Sequence, residues 1–255
     1  VESISVTDPV LPSAESVRAA QGTSVAPGYS RAELNGLLSD AKDQGRIPIA
    51  RVVARIDRMD GDLPTAGAIE IEGIQISQEL LDDEEKQTLA ELGYKELTLS
   101  AAFSADWDPS TGRLNVDRLT LGGPDSATLD AALEIGGLTR EVVEKLDKSQ
   151  DNPEQAMALM QGLTLEGLTL RLDNGSLVDR LLDSQAKASG VGRAEFVGQL
   201  TGALPLMLSV INNADFQTKV ATAATSFLQD PKSFSAIARP ATPLPFAQVM
   251  GTAMM

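Results

Sequence analysis

Val52, Ala54 and Ile56 alternate with polar residues, the period of a half-buried β-strand. Leu97, Leu99, Ala101, Phe103, Ala105 and Trp107 carry the same alternation over a longer strand. Residues 108–112 (Asp-Pro-Ser-Thr-Gly) have the composition of a turn, and Leu114, Val116, Leu119 and Leu121 return from it. The pattern predicts a hairpin. A third strand with Leu129, Ala131, Leu133 and Ile135 extends it to an antiparallel meander. Ile4 and Val6 mark a first strand, and Phe234, Ala236 and Ala238 a last one. Pro240, Pro243 and Pro245 then hold the chain extended before a short terminal helix over residues 246–254.

One eight-residue pattern recurs with a slip in it. In residues 69–76 (Ile-Glu-Ile-Glu-Gly-Ile-Gln-Ile), Ile69 and Ile71 share one parity and Ile74 and Ile76 the other. A bulge at Glu72 and Gly73 restores all four to one buried face. Residues 163–170 (Leu-Thr-Leu-Glu-Gly-Leu-Thr-Leu) repeat the pattern with the slip at Gly167, and residues 114–121 repeat it with Asp117 and Arg118 at the centre. Residues 4–11 form a degenerate fourth copy. The repeat also reads as a structural unit, a bulged strand followed by helices and another strand.

Helical spacing fills the intervals. Ser13 caps a short helix over 13–20, and Ser30 with Glu33 has the form of a capping box before Leu34, Leu37, Leu38 and Ala41, with Gly45 as the stop. Asp82, Asp83, Glu84 and Glu85 open an acidic helix over 80–92, favoured there by the helix dipole. Residues 139–161 read as helical with a break near Asn152 and Pro153. Three helices follow over 176–188, 194–211 and 215–228, the first with Ser176 and Asp179 as a cap pair. Phe196, Leu200, Leu204, Met207, Leu208 and Ile211 recur at three- and four-residue steps as one apolar stripe, and Phe216, Val220 and Phe227 as another. These elements predict an α+β fold: a mostly antiparallel, curved sheet with bulged repeat strands, packed against several helices. A boundary is expected near residue 150, between a strand-rich acidic half (1–150) and a second half (151–255) of repeat strand, apolar helices and terminal strand. One continuous domain is the alternative.

Composition removes many activities. With no Cys and no His in 255 residues, the chain has no thiol nucleophile, imidazole base, Cys/His zinc site, haem ligand or iron–sulfur ligand. A net charge of -15 opposes nucleic-acid binding, which rests on Lys and Arg neutralising phosphates. The uncharged stretch 196–214 contains Gln199, Pro205, Asn212 and Asn213, so it reads as a buried helix rather than a membrane span. The chain opens at Val1 rather than Met, which suggests an upstream segment that has been removed.

Remaining polar clusters have structural readings beside chemical ones. Asp106, Asp108, Ser110 and Asp117 place oxygens at spacings that suggest a calcium loop, yet a hairpin turn accounts for the same residue types. Glu72 and Glu166 are equivalent carboxylates of the repeat, to be tested for a glycosidase-like separation. Ser184 and Lys187 stand at Ser-x-x-Lys spacing in an amphipathic helix, and Asn174-Gly-Ser176 suits a strand-to-helix turn. No catalytic residue, metal ligand or cofactor is assigned.

The bulged strands at 69–76, 114–121 and 163–170, interleaved with helices, resemble bacterial envelope proteins of the broad AsmA-like kind. The cadence of 175–182, 227–232 and 238–243 is similar to the closing part of such chains. The resemblance implies a periplasmic or otherwise extracytoplasmic protein, anchored through a segment outside this chain and connected with lipid traffic or outer-membrane integrity. The expected function is non-enzymatic binding of an apolar ligand, a lipid, or of a membrane-associated envelope partner. The stripe Phe196, Leu200, Leu204, Met207, Leu208 and Ile211 is the expected ligand surface, Met207 adapting to irregular ligands. The alternatives are a structural subunit of an envelope complex and an undetected hydrolase.

Overall fold

The computed structural model describes residues 1–9, 29–40, 45–61, 63–149, 152–210 and 213–248. Ten strands form one open antiparallel sheet: β1 (Ser3–Thr7), β2 (Arg31–Asp40), β3 (Arg46–Asp60), β4 (Leu63–Ser77), β5 (Glu96–Asp108), β6 (Arg113–Gly122), β7 (Ala127–Gly136), β8 (Thr164–Asn174), β9 (Ser233–Ala238) and β10 (Leu244–Pro245). Each strand from β1 to β8 pairs with its neighbour in sequence; β9 and β10 lie end to end along the far edge of β8. This is the expected α+β fold. The pairing of β7 with β8 carries the sheet straight across the boundary expected near residue 150.

The slipped pattern is a bulge each time. Ile71 and Ile74 pair with Ala101 and Leu99, so Glu72 and Gly73 together face one residue of β5. One extra residue enters β6 between Val116 and Leu119, and another enters β8 between Leu165 and Gly167. Gly73 has φ 66°, and a Cβ placed on it would lie 2.7 Å from that of Ala50. Of the fourth copy, residues 4–7 lie in β1, and Val10 and Leu11 lie outside the described residues.

The helix expected after Ser30 is instead the strand β2 over Arg31–Asp40, and Ala41 lies outside the described residues. Ser30 pairs with neither cap position: its Oγ donates to Asp8 at 2.9 Å, and Glu33 binds Arg51 and Arg31 at 2.9 Å across and along the sheet. The spacing Leu34 to Leu37 that imitated a helix arises at Gly36, φ 61°, the same left-handed break as Gly73.

Six α-helices are described: α1 (Asp83–Glu91), α2 (Arg140–Asp147), α3 (Pro153–Gln161), α4 (Leu177–Ala188), α5 (Arg193–Met207) and α6 (Ala214–Gln229). A capping box does occur, at α1 and not at Ser30 and Glu33 where it was expected: the Asp82 carboxylate accepts from Glu85 N and the Glu85 carboxylate from Asp82 N. Asn152 caps α3 with Pro153 in the first turn, which explains the break from α2. At α4 the expected Ser176–Asp179 cap pair is absent. Asn174 Oδ1 accepts from Val178 N at 2.9 Å, while Ser176 Oγ donates to Asp125 O and Asp179 binds Arg193. The position expected for the helix over 13–20 lies outside the described residues, as does the terminal helix beyond residue 248.

Among the described residues most of the buried apolar side chains fall in two groups, with Val53, Ala102 and Ala127 buried separately within the sheet. Trp107, Val116, Leu163 and Leu165 are buried at one end of the sheet, where the Trp107 indole N–H donates to Leu138 O at 2.6 Å and draws in the segment leading to α2. Leu89, Tyr94, Leu182, Ala186 and Val197 are buried around α1, α4 and α5. There the Arg180 guanidinium lies 4.2 Å from the Tyr94 ring centre and donates to Leu92 O, fastening α4 to the loop before β5.

Candidate functional site

Register sorts the sheet into two unlike faces. Directly opposed residues of an antiparallel pair point to the same side. One line of partners across nine strands reads Ile4, Leu34, Val52, Ile71, Ala101, Leu121, Leu129, Leu172, Phe234. A second line, two residues along, reads Val6, Ala32, Ala54, Ile69, Phe103, Leu119, Ala131, Leu170, Ala236. Neither line contains a polar residue. At 4.8 Å per strand the two rows run roughly 38 Å across the sheet.

The opposite face is polar and ion-paired. Its intervening line reads Ser5, Glu33, Val53, Glu70, Ala102, Thr120, Asp130, Arg171 and Ser235, polar at every position but the buried Val53 and Ala102. Arg51 binds Glu33 at 2.9 Å and Glu72 at 3.6 Å, and Arg171 binds Asp173 at 2.6 Å. The hydrogen bonds from Arg51 and then Arg31 pull the Glu33 carboxyl down to about 2. These pairs hold the charges of Glu33, Arg51, Glu72, Arg171 and Asp173 within the sheet.

The apolar face is only partly covered. Helix α6 lies on it at the β9 edge, where the Phe227 and Phe234 rings stand 5.9 Å apart. Toward the middle of the sheet, Ile69 is 40% exposed, Phe103 41% and Leu121 55%. Leu119 and Leu129 are exposed beside them, as are Ile4 and Val6 at the far edge. Ile69, expected to be buried with Ile71, Ile74 and Ile76, is therefore partly open to solvent, and among the described residues no helix is seen to pair its side chain into a core. Aligned apolar side chains left this open can take up a flexible hydrocarbon; nothing in the rows offers a hydrogen bond or a charge.

The helical stripe is divided. Phe196, Leu200, Leu204 and Leu208 follow one another four residues apart and are half-buried, whereas Met207 is 64% exposed beside the exposed Leu206. Ile211 lies outside the described residues. The polar candidates have local partners. Asp108 Oδ1 accepts from Ser110 N at 2.9 Å and Ser110 Oγ at 2.6 Å, closing the β5–β6 turn, and these bonds hold its carboxyl at about 2. Glu72 and Glu166 sit four strands apart, roughly 19 Å at the usual strand spacing, and bind Arg51 and Arg113, so they form no catalytic pair. Among the described residues no three carboxylates gather as a metal site, and no helix is long and apolar enough to cross a membrane.

The rows were not readable from the sequence, since alternation shows each strand's apolar side but not which residues stand opposite. Residues 120–255, which supply the rows from Leu121 to Phe234 and Ala236, match the model of a family described as an uncharacterized protein. No curated protein matches the chain.

Proposed function

We propose that this chain, which belongs to the uncharacterized family matched over residues 120–255, is a non-enzymatic envelope protein that holds a lipid acyl chain against the apolar face of its sheet. The observation that carries this reading is the pair of unbroken apolar rows, exposed from Ile69 to Leu129. A hydrocarbon laid along them would gain about 0.8 kcal/mol for each methylene removed from water. The absence of Cys and His and the internal pairing of the carboxylates support binding over catalysis. The resemblance to envelope proteins supports an extracytoplasmic site of action.

A fluorescent fatty acid should bind saturably, with micromolar or tighter affinity. Leu121→Glu and Leu129→Glu should each weaken binding more than tenfold with the far-ultraviolet circular dichroism unchanged, while Thr120→Glu on the opposite face should leave it intact. Equal loss from Thr120→Glu, or no saturable binding, refutes the reading. Loss from Leu204→Glu or Met207→Glu with Leu121→Glu unaffected would refute it in favour of the α5 stripe.

A further inference from the structure

The two rows stop at the sheet's edges with their apolar side chains still in line. Among the described residues no strand pairs with the outer edge of β1 or of β9. Exposed edge strands are ordinarily protected by inward-pointing charges, prolines or bulges. β1 (Ser-Ile-Ser-Val-Thr) and β9 (Ser-Phe-Ser-Ala-Ile-Ala) contain none of these, and their charges sit at the ends only. Those flanking charges are opposite in sign. Glu2 and Asp8 bracket β1; Lys232 and Arg239 bracket β9.

We infer that β9 of one copy pairs in parallel with β1 of the next, joining copies of this chain head to tail. Three observations fix the direction and register. Because β1 to β9 succeed one another antiparallel, β1 and β9 run the same way, so a copy translated across the sheet presents its β1 parallel to β9 with both apolar faces on one side. A register placing Phe234 beside Ile4 and Ala236 beside Val6 of the next copy continues both rows without a break. The same register sets Lys232 beside Glu2 and brings Arg239 alongside Asp8. The surface pair that Lys232 makes with Asp230, both largely exposed, is weak enough to exchange. Pairing β1 with β1, or β9 with β9, sets acids against acids or bases against bases. A head-to-tail contact leaves a free edge at each end and so propagates instead of closing as a twofold dimer does.

The chain has no cysteine, so introduced thiols report the contact directly. Ser3→Cys with Ser233→Cys, opposed in this register, should give a ladder of disulfide-linked multimers on a non-reducing gel under mild oxidation. Thr7→Cys with Ser233→Cys, at opposite ends of the strands, should stay monomeric. In sedimentation velocity, Glu2→Lys should weaken self-association several-fold, and Glu2→Lys combined with Lys232→Glu should restore it. A monomer at every concentration, equal ladders from the two cysteine pairs, or efficient dimers from Ser3→Cys alone would each overturn the assignment. Because none of these readouts involves a lipid, their failure is separate from any failure of acyl binding.

Discussion

Gly73 and Gly167 occupy the same place in the repeated pattern and carry different backbone demands. Gly73 is left-handed and its missing Cβ leaves room for Ala50; Gly167 is not left-handed, and a Cβ there would meet the flexible Glu134 side chain at 3.2 Å. Gly73→Val should therefore cost about 1–3 kcal/mol, read as a lowered urea midpoint. Gly167→Val should cost clearly less; equal shifts would show that strain at Gly73 does not set its cost. The same chemistry explains one misreading. Gly36 turns the alternation of β2 into a three-residue step from Leu34 to Leu37, and a step of three reads as helix unless the glycine between is known to be left-handed. Leu34-Asn-Gly-Leu37 is in fact another copy of the slip at Ile71-Glu-Gly-Ile74.

Strands with long alternation were legible, as β5 shows from Leu97 to Trp107, and so was the acidic start of α1 at Asp82 to Glu85, though not the capping box those residues form. The α4 cap was not, because Asn174 reaches it from the end of β8 while Ser176 is drawn away by Asp125 and Tyr94. The β5–β6 turn was legible for a physical reason that can be titrated. Asp108 has its folded pKa held at about 2, below the unfolded value of about 3.9. A depressed carboxylate stabilises the fold above its unfolded pKa and loses that contribution as the pH falls through its folded one. The melting temperature of the natural chain minus that of Asp108→Asn should thus be constant from pH 7 to about 5 and shrink between about 4 and 2. A difference unchanged at pH 2 would mean that the Asp108 charge does not stabilise the turn.

For the molecule as a whole, the boundary expected near residue 150 corresponds to a turn of chain direction between two paired strands. The helices α2 and α3 lie between β7 and β8, and ten residues of β7, from Ala127 to Gly136, have partners on β8. A fragment ending at residue 150 leaves that edge and the Trp107 cluster without Leu163 and Leu165. It should lack a cooperative transition by tryptophan fluorescence, whereas the full chain should show one transition coincident with the far-ultraviolet signal. A fragment that melts as the full chain does would establish two independent halves. What no strand disclosed alone was the alignment of their apolar sides into rows, because register depends on where the bulges fall in every neighbour.

The sequential order of the strands also fixes how the sheet meets mechanical force. A pull applied between Ser3 on β1 and Ala238 on β9 is directed across the strands, so it loads the hydrogen bonds of one ladder at a time along their own axis. The sheet then opens by peeling, strand after strand from an edge, instead of resisting in shear with a whole ladder engaged together. Such a sheet bends and yields at low force yet re-forms locally, since each strand finds its partner next to it in the chain.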